Sequence, residues 1–559
     1  MYLISLAALV LLMLASIAHE LAPYQWRHQC PQLGPLFPGP RNLNENNKVS
    51  GLDEYLKSKE FFNTSVARLS GAWSELPGND PVWTQMGKFR DYLRETFPST
   101  HRYLDLENIN EHGLLYTWKG NNPSLKPTLL LAHQDVVPVP DDTILEWTHH
   151  PFSGDFDETY VWGRGAFDCK TTLIAIMSTV EELLKVGWKP QRTLILAFGF
   201  DEEISGFQGA MKIAQRLEEQ YGRDGIALLI DEGPGIQHHV GTGTTCATPA
   251  LSEKGSFNAN ISVHMTSGHS SSSDGHNSIT VMSALIGKIH ATQLPAELQT
   301  DDIFLQSVFC AGQHVPSLPP SVIGHIQRID QNESVINDIL QNKSAMKEIP
   351  QNIRILQPFL KPLVGNKRTV AKVEGGVKVN MVPERTTLSI NHRLLLGTSV
   401  KEAKSALEKI VKKHIENINE VEGGTNLTFR GWSEEETVNS IKLTAFPGEL
   451  EASPTTPFAV DGQTPYGVLQ ATIRSLYDDQ NLTFVAPIPL PANTDSRHYW
   501  NLTQHIFRFS PGHDMTDPTD NYIGSGIHNT NERVNVLGHV NGVRWFSLFI
   551  QNMDNADLI

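Results

Sequence analysis

From Pro127 onward, short β-rich apolar runs alternate with helical ones, and no other feature of this sequence limits its fold so tightly. TLLLAHQDVVPV is followed by TTLIAIMSTVEELLKVG, then RTLILAFGF, an amphipathic stretch to Leu217, and GIALLIDEG. Strands separated by helical segments pair through crossovers, which leaves helices on both faces of the sheet. The spacing predicts an α/β domain on a parallel or mixed sheet.

After Leu251 the texture changes to alternating strands, SFNANISVHM and RTTLSINHRLLL, with a helix between Val400 and Ile418, so a smaller α+β layer is expected there. A Pro-, Gln- and Asn-rich stretch at 296–363 reads as an insertion within it. Mixed α/β texture then returns and ends in HVNGVRWFSLFIQNM. At 559 residues and 40% hydrophobic content the chain is long enough for more than one core. The expected divisions are a leader at 1–22, a linker at 23–50, a first domain at 51–254 that resumes at 426–559, and the second domain at 255–425 between its halves.

MYLISLAALVLLMLASIA at the start fits the apolar region of a signal peptide or an uncleaved membrane anchor. Asn-x-Ser/Thr sequons stand at Asn63, Asn260, Asn332, Asn342, Asn426, Asn481 and Asn501. Leader and sequons together predict a glycoprotein of the secretory pathway, either secreted or in a vacuole or lysosome lumen, meeting a membrane only through its N-terminal segment. Four cysteines, Cys30, Cys169, Cys246 and Cys310, allow at most two bridges and no thiolate zinc site. The net charge of -16 argues against a nucleic-acid partner, which needs a basic face, and an acidic chain can still hold cations.

Four apolar runs or turns end in metal-type ligands. His133 and Asp135 follow the first strand two positions apart, and so point the same way on extended chain. Asp168 closes the Gly-rich turn WGRGAFDCK, Asp201-Glu202-Glu203 follows TLILAF, and Asp231-Glu232 follows ALLI. Alone, each has an ordinary reading: a core histidine, a helix N-cap, a solvated acidic loop. In α/β sheets, however, the carboxyl ends of strands face one crevice, and like charges gathered there are costly without a cation. A divalent metal, or a pair sharing one carboxylate, accounts for the succession, and His528 in the Gly-rich loop GIHNTNE is the best candidate for a further ligand.

AHQDVVPVP, WGRGAFDCK, FGFDEEISG, LLIDEG, SEKGSFNANISVHMTSGHSS, GGVKVNMVPE, NTDSRHYW and GIHNTNE stand in one order. In these motifs the chain resembles the zinc peptidases that include carboxypeptidase S, aminoacylase and the secreted N-fatty-acyl amino acid synthase/hydrolase, most of all the carboxypeptidase S type. The resemblance implies two zinc ions per subunit and a mixed-sheet catalytic domain interrupted by a lid or dimerisation domain. It assigns His133 and Asp231 to one zinc, Glu203 and His528 to the other, and Asp168 to the bridge, with Glu232 as the alternative to Asp231. Glu202 is implied as general base, taking a proton from the attacking water and passing it to the leaving nitrogen, and Asp135 as the residue that orients His133. His269 is implied to polarise the scissile carbonyl, in a homodimer across the subunit boundary. Asn380, Arg393 and Arg497 are implied substrate contacts, an Arg fork matching a carboxylate.

Cys169 departs from the acidic or polar residue expected after the bridging aspartate, with little expected effect on metal binding. The implied substrates are short or N-blocked peptides with a free carboxylate, losing their C-terminal residue, or N-fatty-acyl amino acids. A non-catalytic receptor on the same fold is the competing class, against which stands the presence of every implied ligand and of the base.

Overall fold

The computed structural model describes residues 25–38, 52 and 54–558, except 72–81, 240–242, 273–274, 293, 295–301, 319, 333–364, 422–425, 434, 518 and 521–523. The expected leader, the sequon at Asn342 and much of the expected insertion lie outside the described residues. Among the described residues no helix is long and apolar enough to cross a membrane.

The chain first lays down β1 (Asp105–Ile109), β2 (Gly113–Trp118), β3 (Thr128–His133), β4 (Leu194–Gly199), β5 (Leu228–Asp231) and β6 (Ala250–Glu253). It then builds β7 (Gly255–His264), β8 (Lys367–Gly375), β9 (Arg385–Leu394), β10 (Thr428–Trp432) and β11 (Ser440–Ala445), and returns with β12 (Ile488–Leu490) and β13 (Ile506–Arg508). The large sheet runs β1-β2-β4-β3-β5-β13-β6-β12 and is mixed: β3 is parallel to β4 and β5, while β2 is antiparallel to β4. Every residue of β3, β4 and β5 is buried, as strands covered on both faces must be.

One face carries the helices Thr171–Lys185, Pro465–Tyr477 and Val536–Asn555, whose apolar side chains join the main core. The other face carries the helix Ala210–Tyr221, which buries Ala210, Ile213, Ala214 and Leu217 at helical spacing.

The second sheet, β8-β9-β7-β11-β10, is antiparallel from β8 to β11, and β9 alternates buried and less buried positions along its length. The helices Ser278–Ala291 and Val400–Val421 cover its apolar face. Thr428–Trp432 and Ser440–Ala445 belong to this sheet, so the return to the first layer falls after Ala445 and not at the expected 426. The reason is register: Ser440–Ala445 pairs with β7 from His264 to Ala259.

Residues 25–38, expected as part of a loose linker, are fastened down. Cys30 is disulfide-bonded to Cys310 in the helix Ile303–His314. Gln32 and Val485 exchange hydrogen bonds of 3.0 and 2.8 Å, and Leu36 N donates to Ala471 O at 3.2 Å.

Candidate metal centre

β3 ends at His133, whose ring is 2% exposed. Its Nδ1 faces the main-chain oxygen of Asp135 at 3.0 Å and the Asp135 carboxylate at 3.4 Å, which leaves Nε2 for the cleft. The Asp135 carboxylate also accepts the backbone N–H groups of Glu202 and Glu203 at 3.1 and 3.0 Å. One residue thus sets both the His133 ring and the acidic turn after β4. Asp201, first of the three acids there, accepts the N–H groups of Gln208 and Gly209 at 2.6 and 2.7 Å and serves the turn itself.

Asp168 is presented by a turn that needs glycine at Gly165: φ is +78°, and a Cβ would lie 2.1 Å from Val136 Cγ1. The turn is held by Glu532, a fully buried carboxylate that accepts from Arg164 Nη1 (2.7 Å), Gly165 N (2.9 Å), Phe167 N (3.1 Å) and Asp168 N (3.2 Å). Glu532 stands four residues after His528, so one loop both supplies an imidazole and braces the Asp168 turn. In the sequence Glu532 is only the last letter of GIHNTNE, because a buried anchor and a solvated glutamate look alike in one dimension.

Asp168 stands between two imidazoles: Oδ1 lies 3.0 Å from His133 Nε2 and Oδ2 3.1 Å from His528 Nε2. Glu232 Oε1 approaches His133 Nε2 at 3.4 Å, and Glu203 Oε2 approaches His528 Nε2 at 3.3 Å. The result is two lobes, each an imidazole with a carboxylate, joined through one aspartate. Asp231, expected in the first lobe, is turned the other way. Adjacent residues at a strand end face opposite sides, and the Asp231 carboxylate accepts Glu232 N at 2.9 Å and Ser496 N at 2.9 Å from within the core. Glu232 therefore takes the place expected of Asp231. The buried thiol of Cys169 lies with His133 and Glu232, ligand atoms all within 4.8 Å of one another, so it forms part of the first lobe's wall.

The electrostatics fit a cation pair. Burial pushes Glu232 up to about 8, with the nearby Asp168 charge adding to it. Burial likewise holds Glu202 well above the usual carboxylate range, reinforced by Glu232. Hydrogen bonding to Asp168 and Glu203 raises His528 to about 10. Glu203 Oε1 is buried without a hydrogen-bond partner among the described residues. Acids this close must hold protons or share cations. Carboxylates and imidazoles in two adjoining lobes are a donor set for a pair of divalent ions.

Asp168, Glu202, Glu203, Glu232 and His528 line a cleft of about 260 Å³ together with Arg393 and Arg497. Arg393 reaches it from the end of β9 and donates through Nη1 to Asn493 Oδ1. His269 and Asn380 are not among its lining residues. They sit in an exposed ribbon where Gly268–His269 pairs with Met381–Val382 and Ser270 N donates to Asn380 O. The register gives the reason. Gly255 pairs with Leu394, beside Arg393, whereas His264 pairs with Arg385, near the ribbon. Ten strand residues at about 3.3 Å each put roughly 30 Å between those ends.

The family model "Peptidase family M20/M25/M40" matches residues 129–552. Carboxypeptidase S of Saccharomyces cerevisiae is 34% identical over 548 residues, covering 94% of this chain and 89% of its own. The N-fatty-acyl-amino acid synthase/hydrolase PM20D1 of Mus musculus is 30% identical, covering 92% of each. Among solved structures, human carnosine dipeptidase 1 superposes with a TM-score of 0.57 at 16% identity, over 92% of this chain and all of that one. The M20 family metallo-carboxypeptidase Sso-CP2 from Sulfolobus solfataricus gives 0.55 at 16% identity, over 89% and 99%. These two likenesses speak to the fold.

Proposed function

Because the chain belongs to peptidase family M20/M25/M40 and is an enzyme of that metallopeptidase family, we propose that it is a two-zinc carboxypeptidase of the secretory pathway. It releases C-terminal amino acids from short or N-blocked peptides. The observation that carries this reading is the pair of imidazole–carboxylate lobes sharing Asp168, with two arginines lining the same cleft.

In this reading His133 and Glu232 would hold one zinc and His528 and Glu203 the other, with Asp168 available to both. When bound, the ions lower the pKa of water and polarise the scissile carbonyl. The chain's own residues do the rest. Glu202, whose carboxyl is held above the usual carboxylate range by desolvation and by Glu232, accepts the proton of the attacking water and delivers it to the leaving amide nitrogen. Arg393 and Arg497 hold the substrate carboxylate, which fixes the scissile bond next to the C-terminus. Asp135 fixes the His133 ring and the Glu202–Glu203 turn together.

A second reading, hydrolysis or synthesis of N-fatty-acyl amino acids, is favoured by apolar surface at the cleft. Phe167, Leu490 and Ile527 line it, and Ile204 and Phe207, close behind Glu203 in sequence, are exposed. The two readings share the carboxylate and differ in the acyl side. The test is purification from a secretory host, metal quantification, and release of free amino acid from a blocked dipeptide beside an N-fatty-acyl amino acid. Two zinc ions per chain and faster cleavage of the dipeptide support the first reading, and the reverse preference replaces it with the second. Asn63, Asn332, Asn426, Asn481 and Asn501 are exposed and fit glycan acceptors, whereas Asn260 lies inside β7 between two partner strands. His269 reaches a cleft from the other copy in a homodimer.

A further inference from the structure

Beneath the cleft lies an ion pair that the proposed reaction does not use. Arg508 Nη2 lies 3.2 Å from Glu253 Oε2, and both side chains are 0% exposed. Two charges taken fully out of water cost more than an exposed pair returns, and what such a pair can supply is a fixed arrangement of its neighbours. Those neighbours form one continuous segment of the cleft wall. Thr494 donates to Glu253 Oε1 through both N and Oγ1, each at 2.8 Å. Arg508 Nε donates to Ser496 Oγ at 3.0 Å, Ser496 N donates to Asp231 at 2.9 Å, and the Thr494 and Ser496 hydroxyls share a hydrogen bond of 2.7 Å.

Asp231, Glu253 and Arg508 are the last residues of three strands of one sheet, β5, β6 and β13, with Arg508 in register with Asp231. Three rigid strand ends therefore grip residues 494–496, which are at most 5% exposed. On either side of this grip stand Asn493 and Arg497. Asn493 Nδ2 donates to Lys254 O at 2.6 Å, and its Oδ1 accepts from Arg393, the cleft-lining residue that arrives from the second sheet.

We propose that the buried Arg508–Glu253 pair, acting through Thr494 and Ser496, is the positioning element of the substrate-carboxylate subsite. It fixes Arg497 directly along the chain and Arg393 through Asn493. The proposal rests on the reading that Arg393 and Arg497 bind that carboxylate. It also gives Asp231 a role suited to its inward direction: it anchors the same segment at Ser496 N. Thr494, Ser496, Glu253, Arg508 and Asp231 act in this proposal as positioning residues, and of them Thr494 also lines the cleft.

The test avoids breaking the ion pair, because an unpaired buried charge can unfold the chain. Thr494→Val and Ser496→Ala remove the hydroxyl links of the segment to Glu253 and Arg508, together with the bond between the two hydroxyls, and leave Thr494 N on Glu253. Each is expected to raise KM for a blocked dipeptide about tenfold, the size of one lost hydrogen bond to a charged group, while kcat and metal content stay near wild type. Thr494→Ser, which keeps the hydroxyl, is expected to restore KM. Inhibition by a free amino acid carboxylate weakens in Thr494→Val, and inhibition by its carboxamide does not. A fall in kcat at unchanged KM, or equal weakening of carboxylate and carboxamide, overturns the proposal. Arg393→Ala and Arg497→Ala separate the layers. If neither discriminates between carboxylate and carboxamide, the carboxylate reading itself fails. If they do and Thr494→Val does not, only the positioning role fails.

Discussion

Glu202 lies half-buried beside Glu203 and Glu232, and that neighbourhood fits it to exchange a proton. Glu202→Gln keeps the shape and removes the base, so kcat is expected to fall by about 10²- to 10⁴-fold while both metals are retained. Turnover near wild type with full metal content would remove Glu202 from the mechanism. The neighbouring acids after β5 give a second contrast. Glu232→Ala is expected to empty one metal position, read as one zinc per chain in place of two. Asp231→Asn is expected to keep two, because its carboxylate serves backbone N–H groups of Glu232 and Ser496. The sequence offered both acids, and side-chain direction at a strand end decides that Glu232 is the one facing His133.

At the scale of elements, ligand-bearing turns depend on residues from distant segments. Glu532 braces the Asp168 turn from more than three hundred residues away, and Cys30 ties residues 25–38 to the helix Ile303–His314. The bridge closes a loop of 280 residues and limits the unfolded chain strongly. Replacing Cys30 and Cys310 by Ala is expected to cost about 2–5 kcal/mol of stability. This reads as a lower denaturant midpoint, with kcat on a blocked dipeptide unchanged under folding conditions. An unchanged midpoint would mean that the hydrogen bonds of Gln32 and Leu36 suffice alone. The strand–helix alternation was legible from 127 onward because each run is long and strongly patterned. The length of the second sheet was not, since Thr428–Trp432 and Ser440–Ala445 declare their sheet only by pairing.

For the whole molecule, metal uptake and pH are coupled. In the metal-free protein His528 is raised to about 10, so it holds a proton at neutral pH that an arriving cation must displace. Apparent zinc affinity is therefore expected to rise with pH and to fall on acidification, by up to about tenfold per pH unit for each proton released. Titration calorimetry in buffers of different ionisation enthalpy counts those protons, and none released would contradict the assignment. For the metal-free fold the sign is opposite. A raised histidine stabilises fully below its unfolded value near 6.5 and loses that contribution as pH climbs through about 10. If His269 acts across a dimer, mixing inactive Glu202→Gln and His269→Ala subunits is expected to restore about a quarter of the activity, from mixed dimers with one complete site. No recovery after subunit exchange would confine His269 to its own chain.

By itself the sequence determined the α/β alternation, the crevice-facing strand ends and the residue types that gather there, because periodicity and strand-end chemistry are local properties. Tertiary structure alone decided that Glu232 and not Asp231 faces His133, that Glu532 carries the Asp168 turn, and that His269 and Asn380 stand far along the strands from Arg393. It also decided that a fully buried Arg508–Glu253 pair underlies the cleft. Those facts depend on which backbone face a side chain leaves and on what lies opposite after pairing. Such relations exist only once segments hundreds of residues apart are packed together.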